Sequence, residues 1–230
     1  MMRPKRIACL HTAESNVAVY DRAAAELGLP PGVLAHTVRP ELLATAEQAG
    51  GLNADIASQT AFLLFALCDS ADAVLLTCST LGPVVAAIAD TAEVPIIRAD
   101  QALAERAAAG GGRITVLCAV ETTIAPTSAL FSDAAAGTPA IIDIQLVPGA
   151  WALFKAGDTA GYLKTIAAAA DAAYAGGATV VALAQSSMAD AADLVTRGPK
   201  PLISPHTALE AVRDRLAAGS AVSSDDTDDL

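Results

Sequence analysis

The sequence predicts an α/β protein of two similar lobes, each with a parallel sheet covered by helices on both faces. Two observations carry this prediction. Short β-branched runs that are apolar on both faces alternate with alanine-rich helical segments, a pattern typical of parallel sheets that are buried on both sides. The pattern of the first part of the chain also recurs 107 residues later, from position 6 to position 113, which indicates a duplicated unit.

The elements follow from these patterns in chain order. Runs rich in Val, Ile and Leu predict strands at Ile7–His11, Val33–Val38, Ala73–Thr77, Ile96–Ile97, Ile114–Cys118, Ile141–Val147, Val180–Ala184 and Leu202–Ile203. Longer stretches of helix-forming residues between them predict helices at Val17–Leu27, Ile56–Cys68, Val84–Thr91, Gln101–Ala109, Tyr162–Ala175, Ala189–Val195 and Thr207–Ala218.

The repeat holds in one register across three pairs of strands. The segment RIACLHTAESN, which starts at Arg6, aligns without gaps on RITVLCAVETT, which starts at Arg113. The same offset places VLAHTV over AIIDIQ, and AVLLTCST over VVALAQSS. We therefore expect two pseudo-symmetric lobes of Rossmann-like or flavodoxin-like form. The first lobe is expected to comprise residues 1–98 and 204–218, and the second lobe residues 99–203. Residues 219–230 are expected to form an acidic, disordered tail.

Composition narrows the class of partner. The formal net charge is −11, which argues against nucleic acid, because phosphate binding needs clustered Lys and Arg. No apolar run reaches the roughly 18 residues that cross a bilayer, and the N-terminus lacks the apolar core of a signal peptide, so a cytoplasmic protein is expected. The four cysteines have no CxxC spacing, and free thiols without a metal are expected. A homo-oligomer is compatible with the sequence.

The repeat also predicts where a ligand binds. Ligands of open parallel α/β sheets bind beyond the carboxyl ends of the strands. Two facing lobes would bring four strand-end loops together, at His11–Asn16, Thr77–Thr80, Ala119–Thr123 and Gln185–Met188. The offset of 107 residues sets Cys78 opposite Gln185 across the cleft between the lobes.

Cys78 is the strongest candidate for a reactive group. It lies in LLTCSTLGP, where the polar residues Thr77, Ser79 and Thr80 follow an apolar strand. Ser79 or Thr80 is expected to cap the next helix, whose N-terminus would lower the pKa of the thiol. The other three cysteines, Cys9, Cys68 and Cys118, are expected to be structural.

Together with VETT at Val120–Thr123 and VALAQSSMAD further on, this motif resembles the aspartate/glutamate racemase superfamily. That superfamily includes aspartate, glutamate and hydantoin racemases, maleate isomerase and arylmalonate decarboxylase. The resemblance covers nearly the whole chain, and Cys78 matches the first catalytic cysteine. It implies proton transfer at the carbon alpha to a carboxylate, between two facing thiols in the racemases, with no metal, pyridoxal phosphate or nucleotide cofactor.

The second cysteine position departs from the family pattern, because it holds Gln185. An amide cannot act as a base near neutral pH, but it can donate hydrogen bonds to a carboxylate or enediolate oxygen beside Ser186 and Ser187. His11 is the candidate for a replacement base. The alternatives are one-thiol chemistry, namely arylmalonate-type decarboxylation or maleate-isomerase-type addition, and a carboxylate-binding protein that has lost turnover.

Further polar residues at the strand ends are candidates for binding a small-molecule carboxylate. Hydroxyls and N–H groups are expected to converge there. These candidates are Ser15, Asn16, Ser79, Thr80, Thr122 and Thr123. The segment PGAWALFKAGD, Pro148 to Asp158, follows the sixth strand towards the same edge. It is either a lid with Lys155 reaching an anion or a packed surface loop.

Overall fold

The computed structural model describes residues 5–225, and the side chains of residues 5–218. Eight strands form two sheets. They are β1 Ile7–His11, β2 Leu34–Val38, β3 Ala73–Leu76, β4 Ile96–Arg98, β5 Gly112–Cys118, β6 Ala140–Leu146, β7 Val180–Leu183 and β8 Leu202–Ile203.

Nine α-helices and three 3-10 helices connect these strands in the described residues. The α-helices are α1 Ser15–Glu26, α2 Pro40–Gln48, α3 Ala54–Cys68, α4 Pro83–Ile88, α5 Ala99–Ala108, α6 Ile124–Ala135, α7 Ala150–Lys155, α8 Thr159–Ala175 and α9 Ser204–Asp225. The 3-10 helices are Ala89–Thr91, Glu121–Thr123 and Ser186–Leu194.

The two sheets have the same topology, which confirms the predicted α/β duplication. Their strand orders are β2-β1-β3-β4 and β6-β5-β7-β8, and every pairing is parallel. The central pairs also share one register, since Ile7 pairs with Ala73 and Ile114 with Val180. The carboxyl ends of β3 and β7 therefore occupy equivalent places in the two lobes.

Apolar side chains cover both faces of each sheet. In the first sheet, alternate residues of β1 fall into two separate clusters, with Ala8 and Leu10 on one face and Ile7 and Cys9 on the other. This alternation is the period of two that a strand imposes. Since both faces are buried, the strands are apolar throughout, and their polar residues come at the ends.

Helix α5 joins the two lobes. Its first turn contributes Ala99 and Ala102 to the core of the first sheet, whereas Leu103, Ala104 and Ala107 pack on the second. Helix α9 returns to the first sheet, where it packs against strands β3 and β4 and against helix α1. The base of the cleft is thus held by helices that are shared between the lobes.

Several boundaries differ from the sequence-based expectation. The segment predicted as a helix at Ala189–Val195 belongs to the longer 3-10 helix Ser186–Leu194. Helix α2 was not among the predicted helices; it begins at Pro40, a residue well suited to a first helical position. Helix α9 runs to Asp225 and takes in part of the segment 219–230, whose last residues, 226–230, lie outside the described ones. None of the described helices is both long and apolar enough to cross a membrane.

Candidate active site

The four predicted strand-end loops meet in one cleft between the sheets. Its volume is about 40 Å³. The lining residues are Thr12, Ala13, Asn16, Leu43, Thr77, Cys78, Ser79, Thr80, Val120, Thr123, Trp151, Gln185, Ser186 and Ser187. Cys78 and Gln185 follow the equivalent strands β3 and β7, so the repeat brings these two residues to one site.

Cys78 is buried, with 7% of its surface exposed. Burial raises the pKa of its thiol, and the charge of Asp100 acts in the same direction. Hydrogen bonds from the Thr12 hydroxyl and from the backbone N–H groups of Leu81 and Thr80 oppose this pKa shift without reversing it. Cys78 is therefore a protonated thiol at neutral pH.

This finding corrects the expectation of a thiol activated by a helix N-terminus. Helix α4 begins only at Pro83, and its N-cap is Gly82, with no side-chain cap from Ser79 or Thr80. Cys78 thus lies a full turn before the helix, too far for the positive end of the helix dipole to outweigh burial.

Gln185 is held by its own lobe. Its Oε1 accepts a 2.6 Å hydrogen bond from the backbone N–H of Ala119, and its Nε2 donates a 2.7 Å hydrogen bond to Thr123 Oγ1. An amide nitrogen carries two N–H groups. The Gln185 side chain also forms a hydrogen bond with the Cys118 thiol, which opposes the rise in pKa that burial causes there. The amide is thus held by three partners of its own lobe.

The two serines after Gln185 are tethered by tyrosines. Ser186 Oγ lies 3.0 Å from the hydroxyl of Tyr20, which belongs to the first lobe, and 3.2 Å from Ser204 Oγ. Ser187 Oγ lies 2.9 Å from the hydroxyl of Tyr162. These bonds fix both serine hydroxyls at the cleft wall.

Two hydrogen bonds join the lobes next to Cys78. Ser79 Oγ donates to the carbonyl of Ala184 over 3.4 Å, and Thr80 Oγ1 lies 3.2 Å from Thr122 Oγ1. Thr122 itself is not among the lining residues. Its predicted part in binding is thus replaced by a contact between the lobes.

Of the two candidates at the start of α1, only Asn16 faces the cleft. Its Oδ1 is buried and has no hydrogen-bond partner among the described residues, and such an acceptor is costly to leave unpaired. Ser15 is exposed and does not line the cleft. The helical period places neighbouring residues on different faces, so only one of the two can point inward.

His11 does not line the cleft either. Its Nδ1 lies 2.9 Å from Thr77 Oγ1, and its Nε2 lies 2.9 Å from Nδ1 of His36. Burial and the neighbouring His36 lower the pKa of His11 to about 3. With both ring nitrogens occupied behind the site, the ring has no direct path to a substrate in the cleft.

Two apolar residues from helices complete the lining, and neither was a site candidate from sequence. Leu43 comes from α2 and Trp151 from α7. Gly149, with φ of 76°, precedes α7, and this left-handed conformation lets the chain turn sharply into the helix that carries Trp151. Lys155 lies 6.0 Å from the centre of the Trp151 ring, and it is not a lining residue.

The Trp151 indole also links the lobes, since its Nε1 donates a 2.5 Å hydrogen bond to Glu47 Oε1 on α2. Its ring stacks on Phe154, with the centroids 4.7 Å apart. The only group of metal-ligand type found among the described residues lies behind the cleft, at Cys9, His11 and His36.

Comparison with known proteins agrees with this architecture. Residues 10–211 match the family model for Asp/Glu/hydantoin racemase. No curated protein matches the chain by sequence.

Solved structures of racemases share the fold. A glutamate racemase isoform from Bacillus anthracis superposes with a TM-score of 0.70 at 14% identity, over 95% of this chain and 84% of that one. An allantoin racemase from Klebsiella pneumoniae superposes with a TM-score of 0.68 at 17% identity, over 94% of this chain and 89% of that one. For an aspartate racemase homologue from Pyrococcus horikoshii the TM-score is 0.61 at 13% identity, over 93% of this chain and 99% of that one. With the family model spanning most of its length, the chain belongs to the Asp/Glu/hydantoin racemase family.

Proposed function

We propose that this protein is a racemase-type isomerase that moves a proton at the α-carbon of a small carboxylic acid through Cys78, without a cofactor. One observation carries the proposal. Of the cleft-lining residues that the structure describes, Cys78 alone has a side chain that can give up and take back a proton as an acid–base group. Any proton transfer by a protein side chain in this cleft would therefore go through its sulfur.

The rest of the lining suits the binding of an anion by neutral donors. Its polar members are hydroxyls and amides, and no Lys or Arg is among them. Hydroxyls and N–H groups that are already fixed can stabilise charge that develops on a carboxylate or enediolate oxygen. We assign the Gln185 amide, which lines the cleft, to this task, together with the Ser186 and Ser187 region of the wall.

In the proposed exchange, the Cys78 thiolate removes the α-proton and leaves the electron pair on the substrate as an enediolate. Because the resting group is a thiol, it must first lose its proton, either to water or to a basic group of the substrate. Return of a proton from the thiol restores the C–H bond. A single thiol delivers that proton to one face of the carbon.

Decarboxylation is a second candidate, favoured by the raised pKa of Cys78. In that reaction the C–C bond to one carboxylate breaks, carbon dioxide leaves, and the electron pair remains as an enediolate. The Cys78 thiol then gives its proton to the α-carbon, and water reprotonates the thiolate. A group that rests in the protonated state is ready for this step.

The test is to incubate the full chain in D2O with a panel of small 2-substituted carboxylic acids and malonates. Proton NMR follows exchange at the α-carbon and loss of carbon dioxide. We expect activity with at least one acid, its loss in Cys78→Ser, and its retention in Cys68→Ser, which changes a cysteine far from the cleft.

Equal activity of Cys78→Ser and the parent would contradict the assignment of the thiol. Saturable binding of carboxylates with neither exchange nor decarboxylation across the panel would contradict the enzyme proposal, and would instead identify a carboxylate-binding protein.

A further inference from the structure

Three side chains with metal-binding atoms meet on one face of the first sheet, behind the cleft. Cys9 and His11 are two residues apart on β1, so they point to the same face. Parallel pairing sets His36 of β2 beside Cys9. The ligand atoms of the three residues lie within 4.8 Å of one another.

The hydrogen bonds around the two imidazoles are compatible with metal binding. Thr77 Oγ1 lies 3.1 Å from the carbonyl oxygen of Leu10 and 2.9 Å from Nδ1 of His11; when its hydroxyl donates to Leu10, it accepts from Nδ1–H of His11. An ionised carboxylate only accepts, so Nε2–H of His36 donates to Asp21 Oδ1 over 3.1 Å.

In this arrangement of protons, each neutral ring has a lone pair on its other nitrogen. These two atoms, Nε2 of His11 and Nδ1 of His36, are 2.9 Å apart. Two lone pairs at that distance need a cation between them, either a shared proton or a metal ion. The Asp21 carboxylate beside His36 would offset the charge of either cation, and the nearby Cys9 sulfur offers a third ligand that only a metal ion would use.

We propose that Cys9, His11 and His36 form a binding site for a divalent transition metal ion, zinc above all, separate from the substrate cleft. One thiolate and two imidazoles are ligands that suit zinc. On metal binding, the Cys9 thiol releases its proton to water and binds as a thiolate, while both imidazoles bind as neutral ligands. The fourth position of a tetrahedral ion is left to water.

The separation of the two imidazole nitrogens and the contacts of the rings fit this ion. Two nitrogens on one tetrahedral zinc lie roughly 3.3 Å apart, given Zn–N bonds of about 2.0–2.1 Å, so the two rings need to separate by only a few tenths of an ångström. Metal-bound imidazoles characteristically donate their other N–H to a fixed acceptor. Thr77 Oγ1 lies within hydrogen-bond distance of Nδ1 of His11, and Asp21 Oδ1 within that distance of Nε2 of His36, so both acceptors are in place.

The site is reachable from solvent on the α1 side. The His36 side chain is 14% exposed, and the Asp21 side chain that it contacts is 61% exposed. A bound ion would tie β1 to β2. Through His11 and Thr77 it would also hold the residue that precedes Cys78. We infer a structural ion that stabilises the first lobe and supports the cleft from behind.

The test uses the full chain, stripped of metal with a chelator and titrated with Co²⁺ and then with Zn²⁺ as competitor. We expect one Co²⁺ per chain, visible absorption of a tetrahedral site, and a thiolate-to-cobalt charge-transfer band. Zinc should displace the cobalt and raise the melting temperature, because an ion that binds only the folded state stabilises it.

Variants assign the ligands. Cys9→Ser should remove the charge-transfer band, and His36→Gln should weaken binding at least tenfold. Asp21→Asn should weaken it by about tenfold to a hundredfold. The matched controls are Cys68→Ser and His206→Gln; His206 also contacts a carboxylate, that of Glu26, 2.8 Å away. Both controls should bind like the parent.

Absence of stoichiometric binding would overturn the proposal, as would binding that His36→Gln leaves unchanged or a cobalt complex without the thiolate band. His36 is partly exposed, so His36→Gln remains decisive if Cys9→Ser fails to fold. Nitrogen-15 NMR of the two imidazoles tests the alternative, a shared proton in place of the metal ion. A proton shared between His11 and His36 that persists in excess zinc would also overturn the metal site.

Discussion

The Gln185 side chain donates a 2.7 Å hydrogen bond to Thr123 Oγ1, and both residues line the cleft. The bond fixes the amide in the cleft that Cys78 also lines, at the place equivalent to Cys78 in the second lobe. A fixed amide orients a substrate oxygen well, but it cannot act as a general acid or base near neutral pH. The two halves of the site are therefore chemically unequal although their strands are equivalent.

Gln185→Cys should convert one-sided proton exchange into inversion. A thiol at this position would face Cys78 and could deliver a proton to the opposite side of the α-carbon. Positioned acid–base groups contribute typically about 10²–10⁴-fold in rate, so inversion of a single enantiomer should rise by at least about tenfold. Chiral chromatography after incubation in D2O measures it.

Gln185→Ser is the matched control, since it shortens the side chain without adding a thiol. It should leave inversion at the background level. If both variants invert the substrate equally, or if Gln185→Cys inverts no faster than the parent, the facing geometry proposed for the second thiol is wrong.

The duplication explains how much of this site the sequence could predict. One offset relates β1 to β5 and β3 to β7, and the paired registers of the central strands agree, so residues at strand ends could be placed from spacing alone. Cys78, Gln185 and Thr123 are of this kind. These residues come together because both sheets have the same parallel topology, which the alternation of strands and helices in the sequence already predicts.

Other parts of the site depend on tertiary packing that spacing does not encode. Trp151 and Leu43 reach the cleft from helices whose orientation is set by packing on the sheets. His11 was a candidate base from its strand-end position, but its ring points behind the site towards His36. The direction of the Cys78 pKa shift could not be predicted either, because it depends on the burial of the thiol and on the residue at which α4 begins.

The reactivity of Cys78 towards a small alkylating reagent should have a high-pH profile. Only the thiolate reacts, and burial raises the pKa of this thiol. Its rate should thus keep rising by about tenfold per pH unit beyond roughly pH 8.5, where an ordinary thiol begins to level off. Mass spectrometry of the modified peptide gives the rate, and the urea-unfolded chain supplies the reference profile. A plateau below pH 8 in the folded protein would mean that the thiol is activated.

The buried ion pair behind the Cys78 loop should be a large contributor to stability. Arg98 donates to Asp100 through Nε at 3.0 Å and Nη2 at 2.8 Å, and the two side chains are 8% and 5% exposed. Removing one partner from such a pair costs about 3–5 kcal/mol. Asp100→Asn should therefore lower the free energy of unfolding in urea by about 3 kcal/mol or more.

The control for this loss is Asp193→Asn, which breaks an exposed pair with Lys200 whose side chains are 71% and 64% exposed. Surface pairs contribute about 0–1 kcal/mol. Similar losses in the two variants would show that the buried pair has no special weight.

Access to the cleft should depend on the contact between Trp151 and Glu47. The cleft is narrow, with a volume of about 40 Å³, and we expect the lobes to separate when a carboxylic acid enters. The 2.5 Å hydrogen bond from Trp151 Nε1 to Glu47 Oε1 spans the lobes at the cleft wall. Its loss should favour the open form.

Trp151→Phe tests this contact with little change in packing, because an aromatic ring can still stack on Phe154 while the N–H donor is gone. A hydrogen bond to a charged group at a partly exposed site is worth about 1 kcal/mol or somewhat more, so the open population should grow roughly fivefold. Alkylation of Cys78 at fixed pH, which requires the reagent to enter the cleft, should accelerate by that factor in Trp151→Phe and in Glu47→Ala. Glu47→Gln keeps an acceptor oxygen and should lie between these variants and the parent. Equal alkylation rates in all four proteins would mean that the lobes separate without breaking this contact, and that access is governed elsewhere along the cleft.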